Sequence, residues 1–257
     1  MISYMTPGFP ASLFELVAQR LGVDLEFDSA RSGPAPDDDP FTNGHVDLGW
    51  ICSTSFVDLS LRADNPSVQL VGVAWVPDDP DADGRPVYFS DIVVPHGSNV
   101  RSFEELAGCR IGCNDLISLS GHHALRFEIE QRGGDPDTFA ELVFTGGHDA
   151  SLDAVAAGKL DGAVIDSVVR TRRSRTDATI ASLRVIDRLG PWPVQPLVAR
   201  SNMANDQLAH LARTLLDAND DPDMQAELEA AALTGFVAVG PDHYEPVRLA
   251  MNSSTRR

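Results

Sequence analysis

Lysine is almost missing from this chain: Lys159 is the one lysine in 257 residues, and every other strong base is arginine. Lys and Arg together number 20 against 38 Asp and Glu, a formal net charge of -18. Nucleic-acid-binding proteins neutralise phosphates with a basic face, and the only basic stretch here is the short run Arg170–Arg175. The balance argues against nucleic acid as a partner. The same field repels anions at long range, so an anion site in this chain must rely on local donors.

Cysteine is scarce as well. Cys52, Cys109 and Cys113 are odd in number and loosely spaced, which describes neither a disulfide framework nor a zinc site. His122 and His123 suggest a metal, but adjacent helical histidines diverge by about 100°, and no partner ligand stands at motif spacing, so no metal is expected. The acidic turn Asp78–Pro86 lacks the closing Glu of a calcium loop. No stretch approaches the roughly 18 consecutive apolar residues of a membrane span. The opening MISYMTPGFP lacks the basic start, apolar run and cleavage site of a secretory signal. As given, the chain reads as cytoplasmic, and as extracytoplasmic if a signal was removed. There is no G-x-S-x-G elbow and no glycine-rich nucleotide loop. Ser118 or Ser120 with His148 would make a hydrolase only with a later triad histidine, and neither His210 nor His243 fits. No catalytic residue and no cofactor is expected.

What the sequence does contain is a sustained alternation of strands and helices. Ile2–Met5 reads as a strand stopped by Thr6, Pro7 and Gly8. Ala11–Leu21 has apolar residues at helical spacing and ends at Gly22. Strands follow over Val23–Phe27, Val46–Ile51 and Gln69–Val76, with helical residues from Cys52 to about Arg62. Val87–Val94 is a strand, and Ser98–Gly108 a short helix with Ser102 and Glu105 as capping box. Arg110–Asn114 leads to a helix opening at Ser120 or Gly121. Leu142–Phe144, Gly162–Asp166, Leu183–Asp187 and Leu197–Ala199 are further strands, with helices over Ala150–Ala157 and Val168–Arg175. The helices Asn205–Asn219 and Pro222–Ala232 finish the regular part. This order predicts α/β architecture with mostly parallel sheets. Lobe boundaries fall near Tyr88–His96 and Asp187–Pro193. They give a discontinuous lobe of residues 1–90 plus 190–257 and a second lobe of 91–189.

Ser118-Leu119-Ser120-Gly121 lies between a strand and a helix, where open α/β sheets bind ligands. Unbonded helix-start N–H groups and hydroxyls suit an anion there; the alternative is an ordinary serine cap. His148 follows Gly146-Gly147 and is either a donor to an oxyanion or a surface histidine. Tyr88 can offer its phenol or sit half-buried in a strand. Trp50 reads as core or as a cleft wall. Ser53, Thr54 and Ser55 read as donors or as caps.

Several segments, in order, resemble the phosphonate/phosphate substrate-binding proteins of ABC transporters, in the second of the two periplasmic binding protein topologies. Gly44–Trp50 resembles the family's G-x-V-D-L-x-W strand, and Tyr88–Val94 its first crossing. Ser98–Ile111 is similar to S-x-I-x-S-L-x-D-L-K-G-K, and Ser118–Gly121 to the S-T-S-G anion loop. Phe144–Asp149 resembles F-S-G-S-H, Val155–Ser167 the segment after it, and Gly235–Arg248 a common C-terminal stretch. The resemblance spans nearly the whole chain. It implies a two-lobed α/β fold with a ligand cleft between lobes, and binding of a small anionic, phosphonate- or phosphate-like compound without chemistry. Its partner would be an ABC permease if the protein is exported, and a monomer is expected. The alternative is a cytoplasmic diverged enzyme of the same fold, as in menaquinone or thiamine precursor pathways.

The resemblance also implies a site. Ser118, Ser120 and Gly121 form the anion loop, with His148 and Tyr88 completing it. Ser53, Thr54 and Ser55 donate from the other lobe, and Trp50 and Phe56 pack on the ligand's apolar portion. Asp166 either holds an amino group or caps the next helix. Two positions depart from the family: Leu119 stands where threonine is usual, and Phe56 where a tyrosine is common. Both substitutions remove a hydroxyl, which points to a smaller, less charged or partly apolar ligand.

Overall fold

Gly22 takes a left-handed conformation (φ 67°) and sends its N–H back to the Ala18 and Gln19 carbonyls, ending helix α1 (Ala11–Leu21) where the sequence places the stop. One face of α1, carrying Leu13, Phe14, Val17 and Ala18, is buried. The computed structural model describes residues 2–4, 10–27 and 32–253. Met5 and the Thr6-Pro7-Gly8 stop lie outside these. The chain forms two units: the part up to Val87 together with Pro193–Arg248, and Tyr88–Trp192 together with the residues from Leu249 onward.

Unit 1 begins with β1 (Ile2–Tyr4), α1, β2 (Leu25–Phe27) and β3 (Leu48–Trp50). Helix α2 (Ser53–Phe56) runs on as a π turn, Val57–Leu61, and β4 (Val68–Leu70) and β5 (Val73–Pro77) follow. The chain then passes through β6 (Val87–Val94), β7 (Arg110–Cys113), α3 (Ala124–Gln131), β8 (Glu141–Phe144), α4 (His148–Ala156) and β9 (Gly162–Asp166). Helices α5 (Ser167–Thr176) and α6 (Ala178–Ala181) precede β10 (Arg184–Pro193), which leads back to β11 (Leu197–Arg200). The last elements are α7 (Asn205–Asp217), α8 (Pro222–Ala230), β12 (Leu233–Ala238) and α9 (Glu245–Ser253).

Each unit is built on a five-stranded sheet, ordered β2-β1-β3-β11-β4 in unit 1 and β10-β6-β9-β7-β8 in unit 2. The uninterrupted apolar strands are central: β3 and β9 are buried at every residue, as strands covered on both faces must be. β1 runs parallel to β2 and β3, and β7 parallel to β8 and β9. The expectation of mostly parallel sheets needs correcting at β11, antiparallel to β3 and β4, and at β6, antiparallel to β9. These strands follow directly on the passage from one unit to the other. No crossover helix precedes them, so nothing imposes a parallel entry.

Three local expectations also change. Gln69–Val76 is two strands, broken at Gly72 (φ 93°), with β4 joining β11 and β5 pairing with β12 in a separate two-stranded sheet. Ser98–Gly108 holds only a 3-10 turn, Glu104–Leu106. Its buried Phe103 and Leu106 are three apart, a spacing that one such turn satisfies, and Glu105 accepts from the Arg101 N–H at 2.5 Å instead of closing a capping box. Regular structure continues past Ala232 as β12 and α9.

In unit 1 the Trp50 ring stacks on Trp75 at 4.8 Å and 7°, with Phe14 edge-on at 5.5 Å. A second cluster gathers Phe41, Ile51, Phe56, Val198 and Tyr244. In unit 2 the core lies between the sheet and α4–α6, around Val93, Leu152, Ile165 and Val169. The basic run of the sequence is consumed here. Arg170 and Arg188 (2.7 Å) both pair with the fully buried Asp91, while Arg173 binds Asp149 at 2.8 Å and Asp153 at 2.9 Å.

Candidate functional site

The starts of three helical segments meet at the carboxyl ends of β7, β8 and β9, each begun by a different device. After β7, Asp115 Oδ1 accepts the N–H groups of Ile117 (2.9 Å) and Ser118 (2.8 Å). The helix opens as a π turn, Leu119–His123, with the His123 N–H donating to the Ser118 carbonyl at 3.1 Å, and continues as α3. Ser118 is the cap: its Oγ accepts from the Gly121 N–H at 3.1 Å. After β8, Gly146 (φ 85°) turns the chain, and its N–H donates to the Asn114 carbonyl at 2.9 Å. His148 is thus set as the first residue of α4, buried, not on an exposed loop. After β9, Asp166 caps α5 by accepting from Val168 N–H at 2.8 Å and Val169 N–H at 3.4 Å.

The side chains converge on His148. Its Nε2 lies 3.1 Å from Ser120 Oγ, and its Nδ1 lies 3.4 Å from the Asp166 backbone N–H. Burial pushes the imidazole pKa down to about 4, against the opposing pull of Asp115, Asp149 and the Val164 backbone carbonyl. The ring is therefore neutral at pH 7. The Asp166 N–H favours a bare Nδ1 and a proton on Nε2, whereas the Val164 carbonyl favours the reverse. Only the tautomer protonated at Nε2 donates to Ser120 Oγ and leaves the serine O–H for a ligand.

Gly121 has no room for a side chain. A Cβ there would stand 1.8 Å from Asn114 Oδ1 and 3.1 Å from Asn114 N, and Asn114 is itself buried. Gly121→Ala is expected to lower stability by about 2 kcal/mol through overpacking and to weaken any ligand held by this turn. Urea unfolding of the variant checks this, and a midpoint matching the parent's would contradict it.

The other expected residues divide between the units. In unit 2, Tyr88 is buried in β6 and Leu119 is fully buried. Asp166 Oδ1 makes the α5 cap, one of the two roles expected of this residue. In unit 1, Trp50 and Phe56 are both buried. Trp50 is spent on Trp75 and Phe14, and Phe56 lies edge-on to Tyr244 at 5.0 Å, because both side chains fall on the faces that close the core of this unit. Ser53 Oγ donates to the Pro193 and Val194 carbonyls at 3.2 and 3.3 Å, and Thr54 Oγ1 to Cys52 Sγ at 3.1 Å. Ser55 is the hydroxyl of this group that is buried without a hydrogen-bond partner among the described residues. Asn114 and Asp115 are not anticipated by the sequence reading, although an Asp three residues ahead of a capping Ser is a readable turn signal.

A family profile described as "ABC transporter, phosphonate, periplasmic substrate-binding protein" matches residues 11–244. Among solved structures, the binding protein component of an ABC phosphonate transporter from Pseudomonas aeruginosa superposes with a TM-score of 0.79 at 19% identity, over 100% of this chain and 86% of that one. PhnD1 from Prochlorococcus marinus in complex with methylphosphonate gives 0.78 at 15% identity, over 100% and 98%. At these identities the superpositions establish the two-lobed type 2 periplasmic binding protein fold. The profile spans all of β2 to β12 and the whole Ser120–His148 site, and on that ground the chain belongs to the phosphonate-binding family of ABC transporter substrate-binding proteins.

Proposed function

We propose that this chain is the solute-binding component of an uptake system for a small alkylphosphonate or a closely related oxyanion. It works as a monomer outside the cytoplasmic membrane and delivers its ligand to a permease. The observation that carries the reading is the Ser120–His148 pair, at 3.1 Å, buried where helix starts converge. The ligand's oxygens are held by the Ser120 hydroxyl and by N–H groups of the Leu119–His123 turn, and the neutral imidazole behind the serine orients its O–H. These donors act locally, so the net charge of -18 does not forbid an anion. The α5 cap takes up Asp166 Oδ1, which leaves less of this carboxylate for an amino group and favours an alkyl over an aminoalkyl ligand. Family membership supports the transport role and gives no support to the enzyme alternative. Among the described residues no helix is long and apolar enough to cross a membrane.

Isothermal calorimetry with methylphosphonate, 2-aminoethylphosphonate, phosphate and sulfate tests the proposal. Methylphosphonate is expected to bind most tightly and, at a hundred times its Kd, to stabilise the fold by about 2.7 kcal/mol, a rise of several degrees in Tm. No heat and no Tm shift with any of the four at millimolar concentration would remove the oxyanion reading.

A further inference from the structure

We propose that Ser90 is a further ligand-binding residue of this site, its hydroxyl donating to the same oxyanion as Ser120. The inference rests on the reading of the site given above and deepens it. Ser90 lies in β6 with no exposed surface, and its Oγ has no hydrogen-bond partner among the described residues. After the buried Asp91, its strand continues with Ile92, Val93 and Val94, all fully buried and apolar. Buried hydroxyls almost always find a partner; an alanine here would avoid the cost of leaving one unmade.

The register says where that partner is to be found. In the antiparallel pairing of β6 with β9, Ser90 stands opposite Asp166, and opposed residues project on the same face, about 5 Å apart at Cβ. Asp166 is the residue whose backbone N–H approaches His148 Nδ1. β9 also packs against the Leu119–His123 turn that carries Ser120. The neighbour Asp91 projects to the opposite face, where Arg170 and Arg188 bind it. Ser90 thus belongs to the end of the sheet and the face at which Ser120 and His148 meet, and it adds a neutral O–H donor to a site that has no cation among its hydrogen-bonded side chains. A second hydroxyl also replaces part of the capacity that Leu119 lacks.

The test is calorimetry with methylphosphonate on Ser90→Ala, Ser90→Cys and Ser120→Ala, beside urea unfolding of each free protein. Ser90→Ala is expected to unfold at an equal or higher urea midpoint, because an unmet hydroxyl has been removed, while its affinity falls about tenfold. Ser90→Cys keeps the volume with a weak donor and is expected to fall in between. Unchanged affinity in both Ser90 variants, with Ser120→Ala weakened, overturns the role of Ser90 and leaves the site intact. A parent that does not bind methylphosphonate, or a Ser120→Ala variant of parental affinity, overturns the site reading and this inference together.

Discussion

Ser120→Ala is expected to weaken methylphosphonate binding ten- to a hundredfold, the loss of a hydrogen bond to a charged group worth roughly 1.5–3 kcal/mol. The two serines of the loop have different partners. Ser118 holds the Gly121 N–H and is occupied as the cap. Among the described residues the Ser120 side chain contacts His148 Nε2, and with the ring nitrogen donating, the serine O–H is left to donate to a ligand. The stability cost should be smaller, about 1 kcal/mol, from the imidazole nitrogen left without its partner. Were Ser120 a mere structural residue, the variant would lose stability and keep its affinity. Calorimetry and thermal melts on the same sample separate the two outcomes.

Acidification is expected to destabilise the free protein by about 3 kcal/mol between pH 6.5 and pH 4 through His148 alone. Its pKa is about 4 in the folded chain against 6.5 for an unperturbed imidazole. Between those values the unfolded chain binds the proton and the folded chain does not, so stability is full above about 6.5 and is lost as pH falls towards 4. His122 and His243, both lowered chiefly by burial, act in the same direction. Asp177, held low first by the Thr179 N–H, and Asp221, held low first by Arg20, extend the loss to lower pH. Urea unfolding at pH 7 and pH 4.5 measures the slope. His148→Gln should flatten it, and an identical slope in that variant would show that the ring is not the group responsible.

The element order was legible because it rests on local signals. Gly22 stops α1, and the continuous apolar runs of β3 and β9 mark central strands. The errors came where a local signal had two outcomes. Gln69–Val76 is β-rich throughout, and only pairing with β11 on one side and β12 on the other makes it two strands. Glu105 is three residues from Ser102, yet it meets the Arg101 N–H because the chain there makes a single tight turn.

The candidate site divides in the same way. Ser118, Ser120, Gly121 and His148 were readable from a strand-to-helix serine loop and a glycine-histidine turn. Their roles were not. A Ser-x-Ser-Gly stretch allows either serine to be the cap, and the choice falls to Ser118 only because Asp115 and Asn114 fix the turn beneath it. Trp50 and Phe56 are aromatic neighbours of the unit 1 serines in sequence, but a core residue and a ligand wall have the same composition, and their contacts with Trp75 and Tyr244 are visible only in the fold. Ser90 carries no motif and is picked out only by burial without a partner among the described residues and by its register opposite Asp166. The sequence alone determined the order of strands and helices and the loops that bear the chemistry, since propensity, capping and periodicity act within a few residues. Tertiary structure decided the strand directions, the capping serine, the neutral state of His148 and which buried hydroxyls find a partner among the described residues, since each depends on groups far apart in the chain that only folding brings within hydrogen-bonding distance.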